Sequence, residues 1–457
     1  MTAELPRLSR SVSPAATAPV RIVHLGLGAF HRSHQAWFTQ HAGDAGEWGI
    51  ASFTGRRPDA AEVLAAQDGL FTVVERSDSG DSFEVVGSIV EAVDGANVAR
   101  LVELLAAPQT AVVTLTITEA AYGFAADDAA LLRSAGQEPT TPLGRLVRGL
   151  AARRDADAGP LAVVSCDNLS DNGNVARNAV LNLAKEVDAG LTAWIEANVS
   201  FVSTSVDRIT PRTTPEDVAL VARECGYRDE APVVAEPFRN WVLSGDFPAG
   251  RPRWEDAGAV FVDHIEPYEN RKLWLLNGAH SILAYAGQLR GHTTVAEALA
   301  DPVCSHAVEE FWDEASRHLA GDDLRIPEYR AALLERFGNS RIAHHLAQIA
   351  MDASTKLRMR AIPVLSAERE SGRSGEGAAR MIAVWASYVE SNPGLQDPQS
   401  VAVAEANQLS GLERTAALMA LLDSELARDS AVVELVHKLG REFAPRMQAV
   451  AAPGNPR

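Results

Sequence analysis

Short apolar runs alternate with helix-forming stretches along the first half of the chain. Six runs rich in β-branched and other apolar residues predict strands: Val20 to Leu25, Gly49 to Phe53, Phe71 to Glu75, Ala111 to Thr118, Leu161 to Ser165 and Phe201 to Val206. Strands that alternate with helices are typical of a mostly parallel, doubly wound sheet. The pattern therefore predicts an α/β domain in the N-terminal half.

The second half of the chain is predicted to be mainly helical. From about Pro267 onward the β signal is absent, and long Ala- and Leu-rich stretches favour helices over 272–285, 305–319 and 378–390. The boundary is placed in a polar segment containing proline and glycine. We therefore expect one domain over 19–257 and a second over 258–457.

Three segments are expected to lie outside regular structure. Residues 1–18 are rich in Ser, Ala and Pro and lack the apolar core of a signal peptide, which predicts a flexible tail. Residues 366–377 read SAERESGRSGEG, which predicts a flexible internal loop, and 448–457 are expected to form a frayed end.

Composition narrows the classes of partner. The chain has 457 residues, of which 46% are hydrophobic and 22% charged, and this size favours two globular domains. A formal net charge of −18 argues against nucleic acid as a partner. The sequence has no apolar run of about 18 residues that would span a membrane, and its three scattered cysteines fit a reducing compartment. We expect a cytoplasmic protein with a small-molecule partner, either a monomer or a small homo-oligomer.

A glycine-containing turn follows the first predicted strand. Gly26, Gly28, Phe30 and His31 lie in the segment GLGAFH, and a helix is expected to follow. Glycines at such a turn let the backbone approach a pyrophosphate, whose charge the helix N-terminus then meets. The third glycine of the usual fingerprint is replaced by His31. The turn therefore predicts a dinucleotide site, and a glycine-rich turn without a ligand is the alternative.

The end of the second strand gives a mixed indication of the cofactor. An acidic residue at this place binds the ribose diol of NAD, whereas an arginine accommodates the 2′-phosphate of NADP. Here Arg56 and Arg57 precede Asp59. NAD is slightly favoured, and NADP remains open.

The segment PYENRKLWLLNGAH, residues 267–280, carries the clearest chemistry. At about 100° per helical residue, Glu269, His280 and Asn277 lie about 60°, 80° and 140° from Lys272, all on one side. The other positions are apolar nearly all round, which predicts a buried helix. Buried polar groups are costly unless they are paired or functional. The alternative is a structural role, with Lys272 paired to Glu269 and His280 satisfied in the core.

The order of five motifs resembles that of the polyol-specific long-chain dehydrogenases, which include mannitol 2-dehydrogenase and fructuronate reductase. The motifs are GLGAFHRSHQ at 26–35, TLTITEAAYG at 114–123, SCDNLSDNG at 165–173, VDRITPRT at 206–213 and PYENRKLWLLNGAH. The resemblance implies an N-terminal Rossmann-type domain and a mostly α-helical C-terminal domain, with the active site between them. The YxxxK spacing of Tyr268 and Lys272 also occurs in short-chain dehydrogenases, but their glycine motif and tyrosine position differ.

The resemblance also implies roles for particular residues. Lys272 corresponds to the general base, and Asn168 and Asn277 to the amides that stabilise alkoxide character on the reacting oxygen. His280 corresponds to a substrate-binding histidine and Glu269 to a glutamate that gates proton exchange. The expected substrate contacts are Asn168, Asp207, Lys272, Asn277 and His280, and the expected cofactor contacts are Gly26, Gly28, Phe30, His31, Arg56, Asp59, Glu119 and Asp207.

The substrate and the need for a metal follow less directly. Some family members have a substrate-contacting arginine about ten residues after the SxK motif, where this chain has Ser366. Lys356, Arg358 and Arg360 lie nearby and would either face a substrate carboxylate or form an exposed charged face. The expected reaction interconverts a polyol and its ketose. A hexuronate reductase and a nucleotide-sensing regulator without catalysis are the alternatives. No metal-binding signature occurs, so no metal is expected.

Overall fold

A computed structural model describes residues 5–134, 136–342 and 344–443. The chain divides into two compact units, Met1–Glu266 and Pro267–Arg457. The boundary predicted from composition, at 257, lies shortly before this division. The two units are described separately below.

The strands lie in the N-terminal unit and form two sheets. The strands among the described residues are β1 (Val20–Leu25), β2 (Gly49–Phe53), β3 (Phe71–Ser77), β4 (Gly80–Val86), β5 (Ile89–Val93), β6 (Val112–Leu115), β7 (Leu161–Ser165), β8 (Val199–Asp207), β9 (Val233–Ala235), β10 (Asn240–Ser244) and β11 (Val260–Phe261). The larger sheet has the order β11-β10-β8-β7-β6-β1-β2-β5, and the smaller has the order β4-β3-β9.

The larger sheet has the connectivity of a dinucleotide-binding domain. Its six strands from β5 to β8 are parallel, and β10 pairs antiparallel with β8. The chain proceeds from β1 outward to β2 and β5, then returns to β6 on the other side of β1 and continues to β7 and β8. The strand order therefore reverses between β1 and β6. In open α/β sheets, ligands bind at such a switch point, beyond the carboxyl ends of the strands.

The sheet is buried on both faces, as the predicted apolar runs require. Neighbouring residues of one strand, such as Ile22 and Val23, belong to different hydrophobic clusters on the two faces. This arrangement is characteristic of parallel sheets with helices on both sides. The helices of this unit are Ala29–His31, Arg32–Ala36 and Trp37–Gln40, which form one continuous helix, then Asp59–Ala65, Val98–Ala106, Ala126–Arg133, Pro142–Asp155, Asn172–Val187, Ala189–Asn198 and Pro215–Cys225, with short 3₁₀ turns at Ala45–Glu47, Glu119–Tyr122 and Trp254–Ala257.

One predicted strand forms but does not join the main sheet. β3 pairs antiparallel with β4 over a tight connection from Ser77 to Gly80, and parallel with β9. The hairpin satisfies the backbone groups of β3 locally, so the strand next to β2 is β5, which the sequence pattern did not reveal.

The prediction of a flexible N-terminal tail is wrong for residues 5–18. Leu8 is fully buried, and its backbone N–H donates to the carbonyl of Arg228. The guanidinium of Arg10 donates to the carbonyl oxygens of Ala15, Ala16, Asp68, Gly87 and Ile89. One buried apolar side chain and one multiply bonded arginine thus fix a segment whose composition indicates disorder.

The C-terminal unit is helical throughout its described part, apart from connections and one isolated bridge between Thr294 and His345. A continuous helix begins at Glu266 and ends at Leu289, and it packs against the Pro302–Arg317 and Glu376–Ser391 helices. The helical segments are Glu266–Arg271, Lys272–Gly278, Ala279–Leu289, Val295–Ala300, Pro302–Arg317, Asp322–Leu324, Ile326–Gly338, Leu346–Ile349, Ala353–Arg360, Ile362–Glu370, Glu376–Ser391, Ser400–Ala406, Gly411–Leu422, Leu426–Arg428, Ser430–Gly440 and Arg441–Phe443.

The prediction of a flexible loop over 366–377 is wrong for most of its length. The Ile362–Glu370 helix covers its first part and the Glu376–Ser391 helix begins before its end. The buried carboxylate of Glu368 accepts hydrogen bonds from Arg317, His318 and Arg373. Of the charged residues that suggested a solvated loop, Glu368 is therefore buried, and Arg373 forms an ion pair with it from the exposed side. The predicted frayed end, 448–457, lies outside the described residues.

The predicted fold class is confirmed: an α/β N-terminal unit of Rossmann type and a mostly α-helical C-terminal unit. Within the described ranges, no helix combines the length and apolar character needed to cross a membrane.

Candidate functional site

The predicted residues of the N-terminal unit gather at one edge of the sheet. Gly26 and Gly28 follow β1, Arg56 and Asp59 follow β2, Glu119 follows β6, Asn168 follows β7, and Asp207 is the last residue of β8. These five strands are parallel, so their carboxyl ends meet at the same edge. The switch point between β1 and β6 lies in the middle of this row.

Gly26 is required by the packing of the turn. Its φ of +109° is a conformation that residues with a side chain rarely adopt, and a Cβ built there would lie 2.0 Å from the carbonyl oxygen of Thr116 at the end of β6. The backbone N–H groups of Gly26 and Leu27 both donate to the carbonyl of Phe53. The first glycine thus lets the ends of β1, β2 and β6 come together.

Gly28 leaves open space at a helix N-terminus. A Cβ at Gly28 would meet only the Gly26 carbonyl oxygen, at 3.5 Å. Gly28 is the N-cap of the helix that begins at Ala29, and it supplies no side-chain cap. The first N–H groups of a helix lack partners within the helix and favour an anion. The guanidinium of Arg32, which donates to the Gly28 carbonyl, adds a positive charge nearby. These features fit the pyrophosphate of a dinucleotide.

The residues after β2 do not select between the two nicotinamide cofactors. Arg56, Arg57 and Asp59 are exposed, and the Nε of Arg57 lies 3.3 Å from a carboxylate oxygen of Asp59. The acidic residue and one of the arginines are therefore paired with each other at the surface. The choice of cofactor remains a prediction.

His31, at the place of the third glycine, has a buried side chain. Its ring stacks on that of His24 with centroids 3.3 Å apart, and its Nε2 lies 3.0 Å from the Ser52 hydroxyl. Burial lowers the pKa of His24 to about 3, and burial and the neighbouring ring of His24 hold the pKa of His31 well below its usual range. The His31 side chain therefore packs the helix on the sheet, while Phe30 before it is only half-buried.

A carboxylate next to Asn168 organises the loop after β6. Asp167 accepts the backbone N–H groups of Ile117 and Thr118, at 3.0 and 2.8 Å, and the phenol of Tyr122, at 2.7 Å. Thr118 has a φ of +73°, which is strained for a residue with a β-branched side chain. Glu119, directly after it, is exposed. Asp167 was not among the predicted site residues, although it stands inside the SCDN motif.

Asn168 and Asp207 differ in exposure. Asn168 is exposed, whereas Asp207 is 9% exposed and pairs with Asn240 at the start of β10. The buried guanidinium of Arg208 next to it donates to the carbonyls of Glu236 and Ser33 and to the carboxylate of Glu75. The VDR motif thus anchors the end of β8 through its arginine and leaves its aspartate at the edge of the sheet.

In the C-terminal unit, Lys272 and Asn277 lie on a π-helical segment. The helix that begins at Glu266 is α-helical to Arg271, π-helical over Lys272–Gly278 and α-helical again from Ala279. A π-helical hydrogen bond joins residues five apart instead of four, and such turns are frequent at functional sites. A second π-helical segment, Arg32–Ala36, follows the glycine turn of the N-terminal unit.

The π-helical turn changes the geometry expected from the sequence. The regular α-helix assumed there separates Asn277 from Lys272 by about 140°. That assumption is wrong, because residues five apart in a π-helix are one turn apart and share a face. Lys272, Asn277 and Glu269 are all half-buried. The backbone geometry of the segment therefore places the side chains of Lys272 and Asn277 on the same face of the helix.

His280 lies in a pocket of basic side chains. It is 7% exposed, its ring centroid lies 4.7 Å from that of His344 and 4.8 Å from that of Phe337, and its Nε2 has no hydrogen-bond partner among the residues that the structure describes. Burial first, and then the positive charges of His344, Arg336, Arg360 and Lys356, hold the pKa of His280 well below its usual range. A neutral imidazole with a free nitrogen can accept or donate a hydrogen bond to a hydroxyl group.

The three basic residues of the SxK region lie in different environments in the structure. Arg358 is exposed and donates to the carbonyl of Leu421. Lys356 is half-buried and donates to the carbonyls of Ile349 and Met351. Arg360 donates to the carbonyl of Asn277 and the hydroxyl of Ser281, and burial lowers its pKa to about 10. The alternative of a single exposed face is therefore wrong, because only Arg358 of the three is exposed and Arg360 contacts the helix that carries Lys272.

Among the described residues, no three His, Cys, Asp or Glu side chains form a cluster of metal-binding geometry. The expectation of a metal-independent reaction remains a prediction.

Two family models together match most of the chain. The mannitol dehydrogenase Rossmann domain matches residues 20–256, and the mannitol dehydrogenase C-terminal domain matches residues 264–441.

Individual relatives extend this similarity. The chain is 38% identical to the D-mannonate oxidoreductase of Escherichia coli (strain K12), over 81% of the chain and 80% of that protein. It is 37% identical to the mannitol 2-dehydrogenase of Cereibacter sphaeroides, over 80% of each. A solved structure of Pseudomonas fluorescens mannitol 2-dehydrogenase, a ternary complex with NAD and D-mannitol, is 32% identical with a TM-score of 0.75 and covers 97% of this chain and 94% of that one.

Proposed function

The chain belongs to the mannitol dehydrogenase family, and from this membership we propose that it interconverts a polyol and its ketose with a nicotinamide dinucleotide. The observation that carries the proposal is the shared face of Lys272 and Asn277 on a π-helical turn. Oxidation of a secondary alcohol needs a group that takes the hydroxyl proton and a donor that stabilises negative charge on the oxygen. An amine and an amide on one face supply both.

In the proposed mechanism, the residues of each unit have separate tasks. Neutral Lys272 accepts the hydroxyl proton at Nζ as the alcohol is oxidised, and returns it during ketone reduction. The Asn277 amide donates to the reacting oxygen, and His280 bonds a neighbouring hydroxyl through its free Nε2. Glu269, one turn before Lys272, passes the proton to solvent. The roles of Asn168 as a second amide donor and of Asp207 as a substrate contact rest on their motifs.

The dinucleotide is assigned to the N-terminal unit. The uncapped helix N-terminus at Gly28 and the open space in front of it support a pyrophosphate there. When bound, the nicotinamide accepts or delivers the hydride. Gly26, Gly28, Phe30, His31, Arg56, Asp59, Glu119 and Asp207 are the proposed contacts, several of them through their backbone. NAD is preferred over NADP in this proposal because Asp59 follows β2, as the ribose-binding acidic residue of such domains does.

A substrate panel in both directions tests the proposal. Purified protein with NAD or NADP should oxidise at least one of mannitol, arabinitol, sorbitol and xylitol, and should reduce the matching ketose. The rate should survive dialysis against EDTA, because Lys272 and the asparagines cover the proton-transfer and charge-stabilising roles of a metal. Lack of turnover with every polyol and sugar acid would contradict an enzymatic role, and zinc-restored activity would contradict a metal-independent one.

A second candidate substrate is a hexuronate or its aldonate partner. Burial lowers the pKa of His280 most, and the positive charges of four nearby side chains, those of His344, Arg336, Arg360 and Lys356, lower it further. Among the described residues, no carboxylate forms an ion pair with Lys356 or Arg360. Such a pocket would favour a substrate that carries a carboxylate.

A pair of variants separates the two substrate classes. If Lys356 contributes to carboxylate binding, Lys356→Gln should raise the KM for fructuronate or mannonate about tenfold or more while changing the KM for polyols little. Arg358→Gln, which removes an exposed charge bonded to Leu421, is the matched control and should leave both unchanged. Equal KM changes for both substrate classes would argue against a hexuronate or aldonate as the substrate.

A further inference from the structure

The π-helical turn that carries Lys272 and Asn277 is bonded by donors from two other helices. The indole Nε1 of Trp312 donates to the carbonyl oxygen of Leu275 at 2.7 Å. The guanidinium of Arg360 donates to the carbonyl oxygen of Asn277 at 3.1 Å and to the hydroxyl of Ser281 at 2.9 Å. Leu275 and Asn277 both lie within the π-helical segment.

These contacts act on the part of the helix that a π turn disturbs. A π turn holds an extra residue, so the carbonyl groups near it cannot all keep their α-helical geometry. The carbonyl oxygen of Leu275 also accepts the backbone N–H of Ala279, so the Trp312 indole is a second donor to it from outside the helix. Such donors tether the carbonyl groups of the segment where the π geometry places them and thereby favour that geometry over a regular α-helix.

The neighbouring helix also fixes the segment sterically. A Cβ built on Gly278 would lie 2.4 Å from Cε1 of Phe311, so the helix backbone there packs directly against the Pro302–Arg317 helix. Phe311 and Trp312 are adjacent residues of that helix, and both are fully buried. One helix therefore supplies both the close packing and the hydrogen bond.

We propose that Trp312 and Arg360 are positioning residues which hold the π-helical turn so that the Lys272 amine and the Asn277 amide face the same oxygen. The inference rests on the proposed function, because it assumes that Lys272 and Asn277 act on the substrate. Without these donors the segment relaxes toward a regular helix, in which Asn277 turns away from Lys272 by about 140°. The loss then appears in the chemical step and not in cofactor binding.

Trp312→Phe is the primary variant, because a fully buried side chain does not contact a substrate directly. It removes the indole donor to Leu275 and keeps an aromatic ring. We expect kcat to fall about 10-fold to 10²-fold, the scale of a misplaced catalytic group, with the KM for the dinucleotide nearly unchanged. Amide hydrogen exchange measured by mass spectrometry should rise in peptides that cover 272–281.

Trp385→Phe is the matched control. Trp385 is also fully buried in the C-terminal unit, and its indole Nε1 has no hydrogen-bond partner within the described part of the chain. The same loss of ring volume should leave kcat and the exchange of 272–281 unchanged after correction for global stability. If both variants lose activity equally, or if Trp312→Phe changes neither readout, the positioning role is overturned.

Arg360 provides a second and independent variant. Arg360→Met should lower kcat for polyol and sugar-acid substrates by the same factor, and Arg360→Lys, which keeps one donor, should restore part of it. In an Asn277→Ala background the effect of Arg360→Met should be clearly smaller than in the wild type, because one of the two groups that the turn positions is absent. An undiminished effect of Arg360→Met in that background overturns its positioning role.

The two proposals fail in different ways. If the wild-type protein turns over no polyol or sugar acid, the proposed function is wrong, and if Lys272→Ala keeps full turnover, the proposed role of Lys272 is wrong whatever Trp312 does. If Lys272→Ala loses turnover while Trp312→Phe keeps it, the proposed function stands and the positioning inference is wrong. The exchange of 272–281 reports on the helix itself and does not depend on the assignment of the substrate.

Discussion

The carboxylate of Asp167 accepts the backbone N–H of Thr118 at 2.8 Å, across the carboxyl ends of β6 and β7. Thr118 is held at a positive φ, which costs about 1–3 kcal/mol for a residue with a side chain. Asp167 also accepts from Ile117 and Tyr122. The strained loop before Glu119 is therefore fixed by the residue next to Asn168.

Asp167→Asn should destabilise the protein and weaken cofactor binding together. An asparagine presents an NH₂ group to donors that need acceptors, so we expect a loss of about 1–3 kcal/mol in the free energy of unfolding and a raised KM for the dinucleotide. Urea unfolding and steady-state kinetics measure the two effects. Tyr122→Phe, which removes one of the three donors to Asp167, should lower the free energy of unfolding and raise the KM for the dinucleotide by smaller amounts. A variant with a normal cofactor KM would show that the loop does not serve the dinucleotide.

Lys272→Ala should lower turnover by about 10² to 10⁴, the usual contribution of general acid/base catalysis. For alcohol oxidation, the wild-type rate should fall at low pH because a protonated lysine cannot accept a proton, and the variant should lose this dependence. Asn277→Ala should slow turnover but keep the pH profile, because it removes only the oxyanion donor. Lys438→Ala, at an exposed lysine, is the control and should match the wild type. Full turnover of Lys272→Ala with reduced thermal stability would indicate a structural lysine.

Replacing both Arg56 and Arg57 with alanine tests the cofactor preference. If these exposed arginines bind a 2′-phosphate, the KM for NADP should rise about tenfold or more while the KM for NAD stays nearly constant. The double variant also frees Asp59 from its pair with Arg57. Equal changes for NAD and NADP would mean that the arginines do not contact the phosphate.

Gly278→Ala should destabilise the C-terminal unit by about 1–3 kcal/mol, the usual cost of overpacking. The added methyl group would lie 2.4 Å from Phe311, which is fully buried. Gly338→Ala is the matched control, since a Cβ there meets nothing within 4 Å, and it should be neutral or stabilising. Thermal unfolding of the two variants gives the comparison, and equal melting temperatures would contradict the close packing at Gly278.

The buried pair of His24 and His31 should make the protein sensitive to mild acid. The folded pKa of His24 is about 3, below the value of about 6.5 for an unfolded chain. The unfolded state therefore binds the proton more readily below pH 6.5, and stability falls as the pH drops toward 3. When the pH is lowered from 7 to 4.5, the free energy of unfolding of the wild type should fall by about 3 kcal/mol more than that of His24→Asn. His306→Asn, at an exposed histidine, should follow the wild-type curve.

Local patterns predicted most of the parallel sheet because each strand carries its own signal. The bounds of β1, β2 and β7 match the sequence prediction, since these runs are mostly apolar and almost entirely buried. β5, with its half-buried centre, lacked such a signal. The small sheet was not predicted because its pairing of β3 with β9 joins residues far apart in the chain.

The candidate site was predictable in its residues but not in its geometry. A helical wheel assumes one fixed turn angle, and it could not reveal the π turn that brings Asn277 around to Lys272. Trp312 carries no motif signal, and Arg360 was considered only as a substrate contact or a surface charge, because the positioning role depends on the backbone atoms that each side chain contacts. The errors at 5–18 and 366–377 have a similar cause: composition does not show that Leu8 and Glu368 are buried or that Arg10 donates to several backbone carbonyls.

In a descendant protein that no longer bound its ligand, evolution would retain one of the two glycines of the first turn and not the other. The end of β6 leaves no room for a side chain at Gly26, so folding alone would preserve that glycine. The space at Gly28 is open and its backbone is extended, so other residues could replace it once nothing had to bind there. Retention of Gly28, more than of Gly26, therefore indicates that the turn is still under selection for ligand binding.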